Sequence, residues 1–116
     1  MITLYGIPNC NTVKEARNFL EEHKVEYEFH DFKKKGAPAD KLQEWCKEFG
    51  WEKVINRAGM TWRKLDDAQK ESIKNDADAI ALAQDKTSII KRPIAEINGE
   101  AKALGFKEDE YKALFG

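Results

Sequence analysis

The chain has 116 residues, of which 41% are apolar, so one domain around one modest core is the starting expectation. Charged residues reach 35%, yet 20 Lys plus Arg against 21 Asp plus Glu leave a formal charge of −1, which argues against nucleic acid or an anionic membrane as main partner. No apolar run nears the roughly 18 residues of a membrane span, Met1–Tyr5 lacks signal-peptide character, and Cys10 and Cys46 make no secreted disulfide framework, so the expected setting is the cytoplasm.

Ile2–Tyr5 is a short β-prone run stopped by Gly6, Pro8 and Asn9. Thr12–His23 is predicted to be a helix with Val13, Ala16, Phe19 and Leu20 on its apolar face, opened by a capping box of Thr12 and Glu15. Tyr27–Phe32 alternates as a second strand, completing a βαβ unit with parallel strands. Lys33–Lys35 is expected in a solvated loop that ends at Gly36 and Pro38. Ala39–Phe49 is a helix closed by Gly50, with Leu42, Trp45, Cys46 and Phe49 on its apolar face. Trp51–Trp62 has no clean period and is expected to be loop with a short helical piece. Asp66–Lys74 and Asp76–Gln84 are predicted helices. In Ile94–Leu104, Asn98-Gly99 between two short runs signals a tight hairpin, and Lys107–Phe115 is a closing helix. The order is that of a thioredoxin-like α/β fold: βαβ, then a hairpin and a helix, in one domain over 1–116 with a helical insertion at about 38–86.

Cys10 is the most informative residue. It lies in the turn between the first strand and its helix, where free N–H groups and the helix dipole favour an anion, and Lys14 in the first turn adds to this. Such surroundings lower a thiol pKa and raise the thiolate fraction, and the thiolate is the nucleophile. Cys46, between Trp45 and Phe49, is expected to be a buried structural residue. Val13 occupies the position where a C-x-x-C motif would place its second cysteine, so a resolving thiol must come from outside the first helix turn.

Arg92-Pro93 is a candidate cis peptide at a strand entry. Arg92 has two roles open to it: facing the thiolate or an anionic substrate, or remaining a solvated loop cation. Arg57 and Arg63, with Asn56, could bring further donors to the site or belong to a salt-bridged surface. His23 and His30 lack metal-ligand spacing, so no metal site is expected. Trp45, Trp51 and Trp62 are expected to be packing residues.

Leu4-Tyr5-Gly6-Ile7-Pro8-Asn9-Cys10-Asn11-Thr12, Asn56–Arg63 and Ile89–Ile94 together resemble the ArsC-like family. That group comprises glutaredoxin-coupled arsenate reductases, Spx regulators and the small YffB proteins, and the similarity is closest to the last. The resemblance implies a thioredoxin-like fold with a helical insertion and a catalytic or redox-sensing Cys10. The family's arsenate reductases serve the cysteine with three arginines. The last falls on Arg92; the first falls at or beside Asn56, with Arg57 adjacent; the third would lie near Phe106, where this chain has no arginine. Spx proteins usually carry C-x-x-C, which Val13 breaks.

The resulting expectation is a monomeric, single-cysteine thiol–disulfide reductase with no bound cofactor. Glutathione would be its co-substrate and glutaredoxin a further partner. Asn9, Asn11 and Thr12 with the helix N–H groups would hold the thiolate, and Arg92 and Pro93 would orient the glutathione moiety, with Arg57 and Arg63 as added donors. The alternatives are an Spx-like module that binds RNA polymerase and, less favoured by the arginine count, an arsenate reductase.

Overall fold

The computed structural model describes all residues from Met1 to Gly116. The chain divides into two compact units, Met1–Lys35 with Arg92–Gly116, and Gly36–Lys91.

The first unit holds a four-stranded sheet of β1 (Ile2–Gly6), β2 (Glu28–Asp31), β3 (Ile94–Ile97) and β4 (Glu100–Leu104), in the order β2-β1-β3-β4. β1 pairs with β2 in parallel and with β3 in antiparallel fashion, and β3–β4 is the hairpin. This is the thioredoxin-like layout. Asn98 and Gly99 turn the hairpin with φ of 52° and 83°, the left-handed pair that a tight two-residue loop requires. Helices α1 (Asn11–Glu22) and α8 (Glu108–Phe115) cover one sheet face. Leu4, Ala16, Phe19, Leu20, Ala95, Ala103 and Tyr111 form the core there, all buried. On the other face Tyr5 donates a 3.1 Å hydrogen bond to Glu96, a fully buried carboxylate in β3. Arg17 of α1 donates to the Tyr27 hydroxyl at 3.0 Å and lies 4.2 Å above the Phe29 ring, which ties α1 to the β2 edge.

Two local expectations are corrected here. The lysine run is not loop: Phe32–Lys35 forms a single helical turn, α2, anchored by buried Phe32 and by the Lys33 N–H donating to Asp31 at 2.8 Å. The capping box at Thr12 and Glu15 is absent, because α1 begins one residue earlier with Cys10 as its N-cap.

The second unit is helical: α3 (Ala39–Phe49), α4 (Trp51–Val54), α5 (Met60–Arg63), α6 (Asp67–Glu71) and α7 (Asp76–Asp85), then a 3-10 turn at Thr87–Ile89. The irregular stretch 51–62 thus contains two short helices rather than one. The helix expected over Asp66–Lys74 is shorter, with Asp66 as the N-cap of a complete capping box to Gln69 and Ser72 ending it. Asn75 caps α7 by accepting from the Asp78 N–H at 2.9 Å. Trp45 and Cys46 are buried in α3, which packs against α7, whereas Trp51 and Trp62 are half-buried. Ile55 bridges Ile90 in antiparallel fashion, and the Asn56 N–H donates to the Ile89 carbonyl at 2.8 Å. No helix is long and apolar enough to cross a membrane.

Candidate functional site

β1 ends at Gly6, and the turn through Ile7, Pro8 and Asn9 delivers Cys10 to the start of α1. The approach of strand to helix is close: a Cβ at Gly6 would stand 2.8 Å from Val13 Cγ2, so a larger residue there must displace the Val13 side chain. Cys10 has extended backbone dihedrals, its N–H donates to the Ile7 carbonyl at 3.2 Å, and its own carbonyl accepts from Lys14 at 2.9 Å. It therefore takes the place that Ser, Thr, Asp or Asn commonly fills, and no oxygen cap closes the first turn. The first turn of α1 also carries no acidic residue.

Arg92 reaches this cysteine because of the sheet register. Ile94 pairs with Tyr5 in the antiparallel β1–β3 ladder, so the residues preceding Ile94 run alongside those following Tyr5. Arg92 is half-buried and joined to buried Pro93 by a cis peptide bond. Burial of the Cys10 thiol by itself pushes its pKa up. The Val13 N–H, the Arg92 guanidinium (by hydrogen bond and by charge) and the Thr12 N–H outweigh that and bring it below the ordinary thiol value. Cys46 has no such donors: burial, then the charge of Asp76, pushes its thiol up to about 11. Both cysteines are free.

Cys10, Thr12, Arg92 and Pro93 are thus gathered in the first unit. Asn9 and Asn11 are exposed, and no hydrogen bond ties either side chain to the sulfur; backbone amides do that work. Lys14 is also exposed, and Arg92 is the cation that lowers the thiol. Val13, expected on the apolar face of the helix and as a break in C-x-x-C, also contributes its amide, a donor that a sequence does not display. Arg57 and Arg63 belong to the second unit; both are exposed, and the Arg57 guanidinium lies 5.9 Å from the Trp51 ring. The buried Tyr5–Glu96 pair was also missed. Its one sequence signal is a lone carboxylate inside the Ile94–Ile97 strand. Chemically, a half-buried thiolate between two amides and a guanidinium can attack an electrophilic sulfur.

The ArsC family model matches residues 5–114. The chain belongs to the ArsC family. Among solved ArsC-like structures, a YffB protein is 48% identical, with each chain fully covered and a TM-score of 0.93. An arsenate reductase-related protein from Brucella melitensis is 42% identical over 98% of this chain and 93% of its own, with a TM-score of 0.77. The Spx global transcriptional regulator of Streptococcus pyogenes is 31% identical, covering 98% of this chain and 84% of the regulator. Cys10 and Arg92-Pro93 both lie within the matched range, on two segments that the first unit brings together.

Proposed function

We propose that the protein is a cytoplasmic single-cysteine thiol–disulfide reductase that uses glutathione. The observation that carries this reading is the place of Cys10 at the N-cap of α1, with the Val13 and Thr12 amides and the Arg92 guanidinium directed at its sulfur. The Cys10 thiolate attacks the glutathione sulfur of a mixed disulfide R–S–S–G, forming Cys10–S–S–G and expelling R–S⁻, which takes a proton. A second glutathione, as thiolate, then attacks the glutathione sulfur of that adduct, releasing oxidised glutathione and the Cys10 thiolate. In sum, the mixed disulfide and one glutathione give R–SH and oxidised glutathione, so one disulfide is reduced as another forms. Arg92 and the backbone before Pro93 orient the glutathione carboxylates. With Val13 where a second cysteine would stand, no thiol in α1 competes with glutathione for the intermediate.

The test is turnover of a glutathione mixed disulfide in the presence of reduced glutathione, with oxidised glutathione as the readout. Cys10→Ser should abolish it and Cys46→Ser should not. Equal rates for wild type and Cys10→Ser would overturn the reading. Likeness to a global transcriptional regulator supports a second reading, in which the protein is a redox-sensing module that binds RNA polymerase. Retention of RNA polymerase subunits by the immobilised protein, in a manner that changes on oxidation of Cys10, would move the function there.

A further inference from the structure

A surface cleft of about 280 Å³ lies between α1 and the start of α8, lined by Glu15, Asn18, Phe19, Glu22, Phe106 and Glu108. Its floor is aromatic and held from beneath: Tyr111, fully buried, stands edge-on to Phe106 at 4.7 Å and to Phe19 at 5.7 Å. Its rim is acidic. Glu108 shares its charge with Lys112 at 3.5 Å, whereas Glu15 and Glu22 have no ion-pair partner. The volume is below the roughly 300–1,000 Å³ of small-molecule pockets and suits one or two side chains of a peptide.

Both walls of the cleft belong to segments that also adjoin the cysteine site. Asn11, Glu15, Asn18 and Glu22 form one stripe of α1 at helical spacing, starting beside Cys10. On the other wall, Phe106 follows Gly105, whose N–H donates to the Pro93 carbonyl at 2.8 Å. At 1.5 Å per residue, Glu15 and Glu22 lie about 7 and 18 Å along the helix from Cys10. An extended peptide covers those distances in roughly two to five residues.

We propose that this cleft docks the basic flank of the polypeptide half of a glutathione mixed disulfide, whose glutathione sulfur Cys10 attacks. An arginine or lysine fits both of its features, since the apolar stem can lie over half-buried Phe106 while the charged head meets Glu15 or Glu22. The substrate class is then a mixed disulfide between glutathione and a polypeptide carrying Arg or Lys two to five residues from its cysteine. This rests on the reductase reading, and the sulfur exchange is the one balanced above.

The test uses two glutathionylated peptides of equal length, one with Arg and Lys at those positions and one with Glu, compared by kcat/KM. The basic peptide should be preferred about tenfold at low salt, and Glu22→Lys, an exposed substitution, should bring the two to near parity. Parity in the wild type, or a preference untouched by Glu22→Lys, would overturn the cleft while leaving the reductase reading intact. Absence of Cys10-dependent turnover with either peptide, and with a small glutathione mixed disulfide, would overturn the reductase reading instead. Binding of the same peptides with serine in place of cysteine, followed by fluorescence anisotropy, tests the cleft without turnover. The basic peptide alone should bind the wild type and should lose binding to Glu22→Lys; equal binding of both, or of neither, would contradict the proposal.

Discussion

At Cys10 two opposed effects act on one sulfur. Removal from water disfavours the thiolate, and the Val13 and Thr12 amides with Arg92 more than compensate. Alkylation of Cys10 should therefore reach half its maximal rate at a pH below the ~8.5 of a free thiol. Cys46, buried and facing Asp76, should remain unreactive until about pH 11. The rates are measured on Cys46→Ser and Cys10→Ser respectively, and a shared midpoint near ~8.5 would refute the contrast. Arg92→Ala should raise the Cys10 midpoint and slow glutathione adduct formation roughly ten- to a hundredfold. That range corresponds to one charge-assisted hydrogen bond of about 1.5–3 kcal/mol. Arg92→Lys should recover the charge but not the fork of donors, so its rate should fall between the two. The two cysteines were separable in the sequence because one followed a strand and breakers while the other sat on an apolar helix face. The amide of Val13 was not legible, since every residue but proline carries one and only the fold decides where it points.

The start of α1 is the element on which the site depends. Gly6→Ala would bring a methyl group to 2.8 Å from Val13 Cγ2, so it should cost about 1–3 kcal/mol of stability, and Val13→Ala in the same chain should recover part of that. Denaturant midpoints of the single and double variants check it. The capping position gives a second, pH-dependent outcome. Serine is a good N-cap and a neutral thiol a poor one, so Cys10→Ser should be the more stable protein at pH 5, by on the order of 1 kcal/mol. The folded-state pKa of Cys10 is depressed, so the wild type gains stability as pH rises from that value to the ordinary thiol value, and the gap should close there. For Cys46 the sign is reversed. Its folded thiol keeps the proton, so its contribution is complete below the ordinary thiol value and is lost as pH rises towards about 11, at roughly 1.4 kcal/mol per unit. Cys46→Ala should flatten that alkaline decline. Elements with local chemical signals were readable in advance: Asn98-Gly99 gave the hairpin, and Gly50 ended α3. The beginning of α1 was misplaced because Thr12 and Glu15 have the right spacing for a box, while the strand delivers Cys10 to the cap.

For the whole molecule, the family and the thioredoxin-like sheet are the parts that three separated motifs revealed, because the sheet register brings two of them together at one end of β1. The Glu96–Tyr5 pair, in contrast, is a tertiary pairing between residues 91 positions apart, which no local pattern encodes. Of the two arginines in the first unit, Arg17 is engaged with Tyr27 and Phe29, which leaves Arg92 as the one beside the thiolate. A compact dianion must be neutralised before a thiolate can approach it, and two anions a few ångströms apart repel by several kcal/mol in a partly desolvated site. Arsenate should therefore be turned over far more slowly than a glutathione mixed disulfide in an assay coupled to glutathione and glutaredoxin; Cys10-dependent turnover at equal rates would restore the arsenate reductase reading. The most direct measurement is intact and peptide mass spectrometry after exposure to oxidised glutathione across a pH series. A single adduct of one glutathione on Cys10, forming with a midpoint below ~8.5, is expected. An adduct on Cys46 to the same extent, or a Cys10 adduct with the midpoint of a free thiol, would contradict Cys10 as the activated nucleophile.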